Sequence, residues 1–256
     1  MTKIIAITNQ KGGVGKSTTA EALTADLKSR GYKVLAIDLD PQGNMTHTSR
    51  ASTSGATALG VLTGEVEAKD AIRHTEMGDI IPAHSGLAGA DAFIADTGKE
   101  YRLKEALEPV KDNYDYIIID TPPALGILTV NALTAADSVI IPAQCDIYSL
   151  NGIDQLYKTI NPVRKYCNPD LKIDGILLTR NNERTMLSKE VTELAGQLAE
   201  RIGTKLFKSS VREAVAIKEA QIYQKSIFEY ASKSKVAADY RAFTDEVLGK
   251  ESSVNG

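Results

Sequence analysis

This chain contains no tryptophan, four phenylalanines and two cysteines, Cys145 and Cys167. Two isolated thiols make neither a disulfide framework nor a ligand cluster, which excludes a fold stapled by sulfur or built on a thiolate metal centre. A reducing, cytoplasmic setting is the matching expectation. Long apolar runs are also missing. Stretches such as Ile4-Ile5-Ala6-Ile7 stop at four or five residues, far short of the ~20 that span a bilayer. A glycine-rich motif begins by residue 11, and this leaves no room for a signal peptide ahead of it. His47, His74 and His84 show no metal-ligand spacing and no nucleophile beside them. What is present is ordinary for a soluble globular protein: 256 residues, 43% hydrophobic and 25% charged, ample for a large buried core.

The net charge of −3 hides an asymmetry. Residues 1–150 carry 13 basic against 19 acidic side chains, and residues 151–256 carry 17 against 14. Within 201–235 lie Arg201, Lys205, Lys208, Arg212, Lys218, Lys225, Lys233 and Lys235, opposed only by Glu213, Glu219 and Glu229. Such a division points to a polyanionic partner, although an unevenly charged solvated surface gives the same count.

Short β-branched runs alternate with helix-length segments. Ile4–Ile7, Val34–Ile37, Ile80-Ile81, Tyr116–Ile119, Val139–Ile141 and Ile176–Leu178 read as strands buried on both faces. Residues 17–30, 84–108 (as two helices), 125–135, 148–166 and 186–202 read as helices, and 41–64 as a loop with one short helix. Strand–helix alternation predicts an α/β fold with a mostly parallel twisted sheet and helices on both faces. No linker divides it, so residues 1–250 read as one domain. Glu251–Gly256 reads as a frayed polar tail, not as a basic amphipathic membrane anchor.

Lys11-Gly12-Gly13-Val14-Gly15-Lys16-Ser17-Thr18 follows the first strand and opens the first helix. Backbone N–H groups at such a helix start, with glycines that let the chain wrap closely, form a phosphate cradle. Lys16 is placed to neutralise the β- and γ-phosphates of ATP, Ser17 to ligate Mg²⁺ and Thr18 to reach the α-phosphate. Gln10 stands where the usual pattern has a fifth-position glycine. Asp38 and Asp40 end the second strand, and Asp120 ends the strand Tyr116–Ile119. Ligands of open α/β sheets bind beyond those strand ends, so all three carboxylates face the loop.

KGGVGKST resembles the deviant Walker A signature of the ParA/MinD class of P-loop ATPases, in which the extra lysine is defining. ITNQKGGVGKST, IDLDPQGN, NYDYIIIDTPP, LTVNALTAADSVIIPAQC, GILLT and KEAQIYQKSIFEY extend the resemblance to the short ParA/Soj partition ATPases over nearly the whole chain. That resemblance implies a homodimer formed on ATP, non-specific binding to double-stranded DNA, a ParB-like centromere-binding partner, no membrane contact and association with the nucleoid. It also implies roles: Lys11 crosses to the partner's phosphates, Asp40 orients the attacking water, Asp38 sits near the magnesium, and Asp120 holds it through a water. Asn181 is placed at the adenine by its position in the fold. Arg184 aligns with one DNA-contacting arginine. The second such position is Ala216 here, leaving Arg212 or Lys218 to replace it. A MinD-like or protein-cargo positioning ATPase is the alternative within the class, and an ATP-dependent biosynthetic ligase is the alternative outside it.

Overall fold

The computed structural model describes residues 1–182 and 185–250. In chain order the elements are β1 (Lys3–Ile7), α1 (Lys16–Ser29), β2 (Val34–Asp38), α2 (Asn44–Thr48), α3 (Ala58–Thr63), α4 (Ala68–Ala71), β3 (Arg73–Thr75), β4 (Gly78–Ile81), α5 (Ala90–Phe93), α6 (Arg102–Leu107) and β5 (Tyr116–Asp120). There follow α7 (Ile127–Ala135), β6 (Ser138–Gln144), α8 (Ile147–Tyr166), β7 (Lys172–Asn181), α9 (Met186–Arg201), β8 (Val211–Arg212), α10 (Val215–Ile222), α11 (Ile227–Tyr230) and α12 (Lys235–Val247).

The strands form one eight-stranded sheet in the order β3-β4-β2-β5-β1-β6-β7-β8. Every pairing is parallel except β3 with β4. The alternation of side chains along a strand explains why the runs are continuously apolar. Ile4 and Ala6 of β1, with Ile117 and Ile119 of β5, enter one core cluster with residues of α7 and α8. Ile5, Ile7 and Ile118 enter another with α1 and α12. Each face therefore has its own layer of helices, as the alternation of elements predicts.

Residues 84–108 hold two helices as expected, α5 and α6, with 3₁₀ turns at Ser85–Gly89 and Lys99–Tyr101. Gly98, at a φ of 80°, leads into the second of these turns. Residues 41–64 contain two short helices, α2 and α3, where one is expected. Cys145 is half-buried, its Sγ 3.2 Å from the Ser188 hydroxyl. The polar tail 251–256 lies outside the described residues.

Candidate nucleotide site

β1, β2 and β5 are neighbours in the sheet, so their carboxyl ends deliver the glycine-rich loop, Asp38 with Asp40, and Asp120 to one edge. The loop closes because Gly13 and Gly15 adopt φ of 77° and 87°, a left-handed conformation that a side chain would strain. It is pinned from beneath by the Thr179 hydroxyl of β7, which donates to the Val14 carbonyl at 2.8 Å. Gly15 begins α1 without a side-chain cap among the described residues, and no acid occupies the first turn. The first N–H groups of that helix are thus left for an anion, and the helix dipole favours one there.

Lys16 is 6% exposed. Burial lowers its pKa, while Asp120 and Asp40 counteract that. Its Nζ donates to the Lys11 carbonyl at 3.2 Å. Asp120 is fully buried, and neither carboxylate oxygen has a hydrogen-bond partner among the described residues. Burial pushes its pKa well up and the neighbouring Asp38 adds to this, against smaller opposite effects of Ser17 and Lys16. A buried carboxylate with both oxygens unspent, beside a hydroxyl and a phosphate cradle, fits a divalent cation.

Asp38 differs from Asp120. One of its oxygens accepts from the Thr46 N–H at 2.8 Å and the Thr46 hydroxyl at 2.7 Å, and the other from the Asp40 N–H at 3.1 Å. Burial nevertheless pushes it up to about 6. Of the two carboxylates expected at the metal, only Asp120 presents unpartnered oxygens, and Asp38 is spent on holding α2. Asp40 accepts from the Gln42 N–H at 3.0 Å and shapes the turn into Gly43.

Lys11 points away from this cradle. Its Nζ lies 2.9 Å from both carboxylate oxygens of Asp146 and 3.0 Å from the Ser149 hydroxyl. Asp146 also caps α8, accepting from the Ser149 N–H at 2.8 Å. Burial alone would raise this carboxyl, but the bonds from Lys11 and Ser149 outweigh it and hold it below its ordinary value. The approach of α8 is tight, since a Cβ on Gly152 would come 3.1 Å from Asn9 Oδ1. That same Asn9 oxygen accepts from the Lys11 N–H. Sequence reading passed over Asp146, Asn9 and Gly152. The Asp146-x-x-Ser149 pattern before an apolar run was the available signal, and it is an N-cap signature.

Beyond Gly15, a cleft of about 750 Å³ is lined by Arg180, Asn181, Ser210, Arg212, Ala214 and Asp239. Asn181 is buried and receives the Ser188 hydroxyl on its Oδ1. Gly12 and Gly13 lie exposed at the loop tip, while Ser17 and Thr18 are half-buried in the first turn of α1. Among the described DNA candidates, Arg212 and Lys218 line one cleft together with Arg180, but half of the surrounding basic cluster is paired with acids. Arg184 lies outside the described residues. Arg212 makes a bidentate pair with Asp239 at 2.6 and 2.7 Å. Arg201 pairs with Asp154, Lys205 with Glu246 and Lys225 with Glu229. Lys218 stands exposed on α10. Acids on α8, α11 and α12 thus pair with four of the eight basic residues of a cluster that looks free in the linear sequence.

Comparison with known proteins matches this architecture to named families. The family described as AAA domain covers residues 2–173. The chain is 45% identical to the sporulation initiation inhibitor protein Soj of Bacillus subtilis, with all of both chains aligned. It is 40% identical to the chromosome partitioning protein ParA of Caulobacter vibrioides, over 97% of this chain and 95% of that one. A solved structure named as cobyrinic acid a,c-diamide synthase from Mycobacterium smegmatis, with bound ADP and magnesium, superposes with a TM-score of 0.80 at 37% identity. The superposition covers 97% of this chain and 94% of that one. Fold and site define a P-loop ATPase of the ParA/MinD class. Within that class the chain belongs to the ParA/Soj family, with ATP as substrate and Mg²⁺ as cofactor.

Proposed function

We propose that this protein is an ATP-gated switch that dimerises on ATP, binds DNA non-specifically in that state and drives partition of a plasmid or chromosome with a ParB-like partner. The observation that carries this reading is the position of Lys11. A second lysine in the phosphate loop is held at the rim by Asp146, 31% exposed, while Lys16 alone serves the cradle. A cation stationed outside its own site remains available to another subunit's, which supports this reading.

In this scheme Lys16 and the first N–H groups of α1 bind the β- and γ-phosphates. Thr18 meets the α-phosphate and Asn181 the adenine edge. Ser17 and Asp120 hold the magnesium ion, which supplies charge neutralisation of the phosphates when bound. Asp40 orients the attacking water. Lys11 leaves Asp146 and reaches the partner subunit's phosphates, where it steadies charge developing on the transferred group. Loss of the γ-phosphate removes the anion it crossed to meet, and the dimer opens. Among the described residues no helix is long and apolar enough to cross a membrane. The 40% identity to the chromosome partitioning protein ParA of Caulobacter vibrioides, over 97% of this chain, supports a partition role over a biosynthetic one.

The test is binding to a random-sequence duplex with ATP, ADP or no nucleotide, at about 50 and 200 mM salt. Phosphate-driven binding weakens by orders of magnitude over that range. Binding confined to ATP and lost in salt is expected. Absence of binding in every state would overturn the DNA reading and favour a protein cargo.

A further inference from the structure

Helix α10 rests on the core through a narrow strip, Ala216, Ile217 and Ala220. Of its eight residues only Ala220 is buried. Val215 is 70% and Ile222 75% exposed, and Tyr223 just beyond is 59% exposed. A cleft of about 150 Å³ separates the helix from the phosphate loop, with Gly15 and Thr18 on one wall and Ile217, Lys218 and Gln221 on the other. Beside the thin apolar seam of Ala216, Ile217 and Ala220, polar ties bridge α10 to the nucleotide edge. Gln221 Nε2 donates to the Thr18 hydroxyl at 3.3 Å. The helix end is also fastened to α2. Arg50 donates to the Tyr223 carbonyl at 3.2 Å, and Gln224 Nε2 lies 3.3 Å from His47 Nδ1.

One anchor belongs to a segment that nucleotide would touch, and the other hangs from the strand end beside it. Thr18 lies in the first turn of α1. Helix α2 is held to the strand end through Thr46, whose N–H and hydroxyl both bind Asp38. Backbone strain collects at the same places. Among the described residues three non-glycines have left-handed φ: Arg50 at 54°, Gln224 at 52° and Arg180 at 49°. Arg50 and Gln224 are the two residues that fasten α2 to the end of α10, and Arg180 lines the cleft beside it. Strain held at a joint between two lightly packed elements marks a place where two arrangements lie close in free energy.

We propose that α10 carries the nucleotide state of the site to the protein surface, with Gln221 as the positioning residue that reads Thr18. A phosphate that engages the Thr18 hydroxyl changes the partner available to Gln221. The helix has little buried area to resist the resulting shift, because its stability is local and low. The exposed face bearing Val215, Lys218 and Ile222 moves with it. This inference rests on the reading that ATP occupies the phosphate loop with Thr18 at its phosphates.

The experiment is amide hydrogen exchange of the full chain without nucleotide, with Mg-ADP and with a non-hydrolysable Mg-ATP analogue. Peptides covering 12–20 report the site, and peptides covering 215–224 report the helix. In the wild type both should respond, with exchange at 215–224 changing about threefold or more between nucleotide states. Gln221→Met keeps the length and shape of the side chain but removes its donor. It should keep the response at 12–20 and lose most of that at 215–224, with nucleotide affinity within about threefold of wild type. A wild-type response at 12–20 alone overturns the inference and leaves the site reading intact. A full response at 215–224 in Gln221→Met also overturns it. Silence of both peptides overturns the site reading, and the inference falls with it.

Discussion

Helix α1 carries two buried carboxyls five positions apart, and the chain treats them in opposite ways. Asp26, in the last turns, takes the Arg30 guanidinium at 2.8 and 3.1 Å, and Arg30 reaches on to Asp245 of α12. Glu21, nearer the phosphate loop, is buried with no cation beside it, and one of its oxygens has no partner among the described residues. Burial pushes Glu21 up to about 8, so it is largely uncharged at pH 7, with a small opposing effect of Thr48. The same contrast holds around each end. At the far end charge is neutralised within the chain. At the loop end Asp120 is left without a partner, and Lys16 binds only a carbonyl. A folded chain tolerates that imbalance where a ligand restores it. The comparison separates what stabilises the fold from what awaits Mg-ATP.

The largest break in this contrast should come from Lys16→Ala. Removing the buried cation costs on the order of 3 kcal/mol of phosphate binding, about a hundredfold in ATP affinity. Calorimetric titration with Mg-ATP checks this, and the unliganded Tm should fall little. Arg30→Ala should do the reverse. It leaves Asp26, whose side chain is 4% exposed, buried without its cation. The expected loss is about 2 kcal/mol and roughly 6 °C in Tm, with ATP affinity unchanged; thermal unfolding beside the same titration reads both.

Glu21→Gln sharpens the comparison through pH. The folded carboxyl titrates near 8 and an unfolded one near 4.5, so the native state binds more protons between those values. Wild-type stability should therefore fall as pH rises through that window and level off above about 8. The glutamine variant should lose most of that slope, as denaturant unfolding at about pH 6 and 8 would show. If both proteins keep equal slopes, the loop end is not where the unneutralised carboxyl resides. The smallest effect belongs to Gly152→Ala, whose new methyl would press on Asn9 Oδ1 at 3.1 Å. A shift of about 1 kcal/mol in stability is expected, with ATP turnover changed no more than severalfold.

The sheet was legible because its strands are β-branched runs buried on both faces. The cradle was legible because glycines, lysine and hydroxyl are consecutive. The C-terminal elements were not. Residues 201–235 read as a run of charge, yet they fold as β8, α10 and α11 and lead into α12, with Ser226 and Ser234 as N-caps. Those serines were visible signals. The exposure of α10 was not, because its core-facing strip is only Ala216, Ile217 and Ala220, while Val215 and Ile222 are apolar yet exposed. The Lys11–Asp146 contact joins residues 135 positions apart, and no local pattern encodes it. Likewise the basic cluster lost its apparent freedom only when the fold set Asp154, Asp239 and Glu246 against it.

The central claim is that Lys11 serves a second subunit. Its direct test is the molar mass in solution of wild type and Lys11→Ala, by light scattering behind a sizing column, with a non-hydrolysable Mg-ATP analogue and without nucleotide. The account predicts a monomer without nucleotide, a dimer of wild type with the analogue, and a monomer of Lys11→Ala that still binds nucleotide. A Lys11→Ala protein that dimerises as wild type does would contradict it.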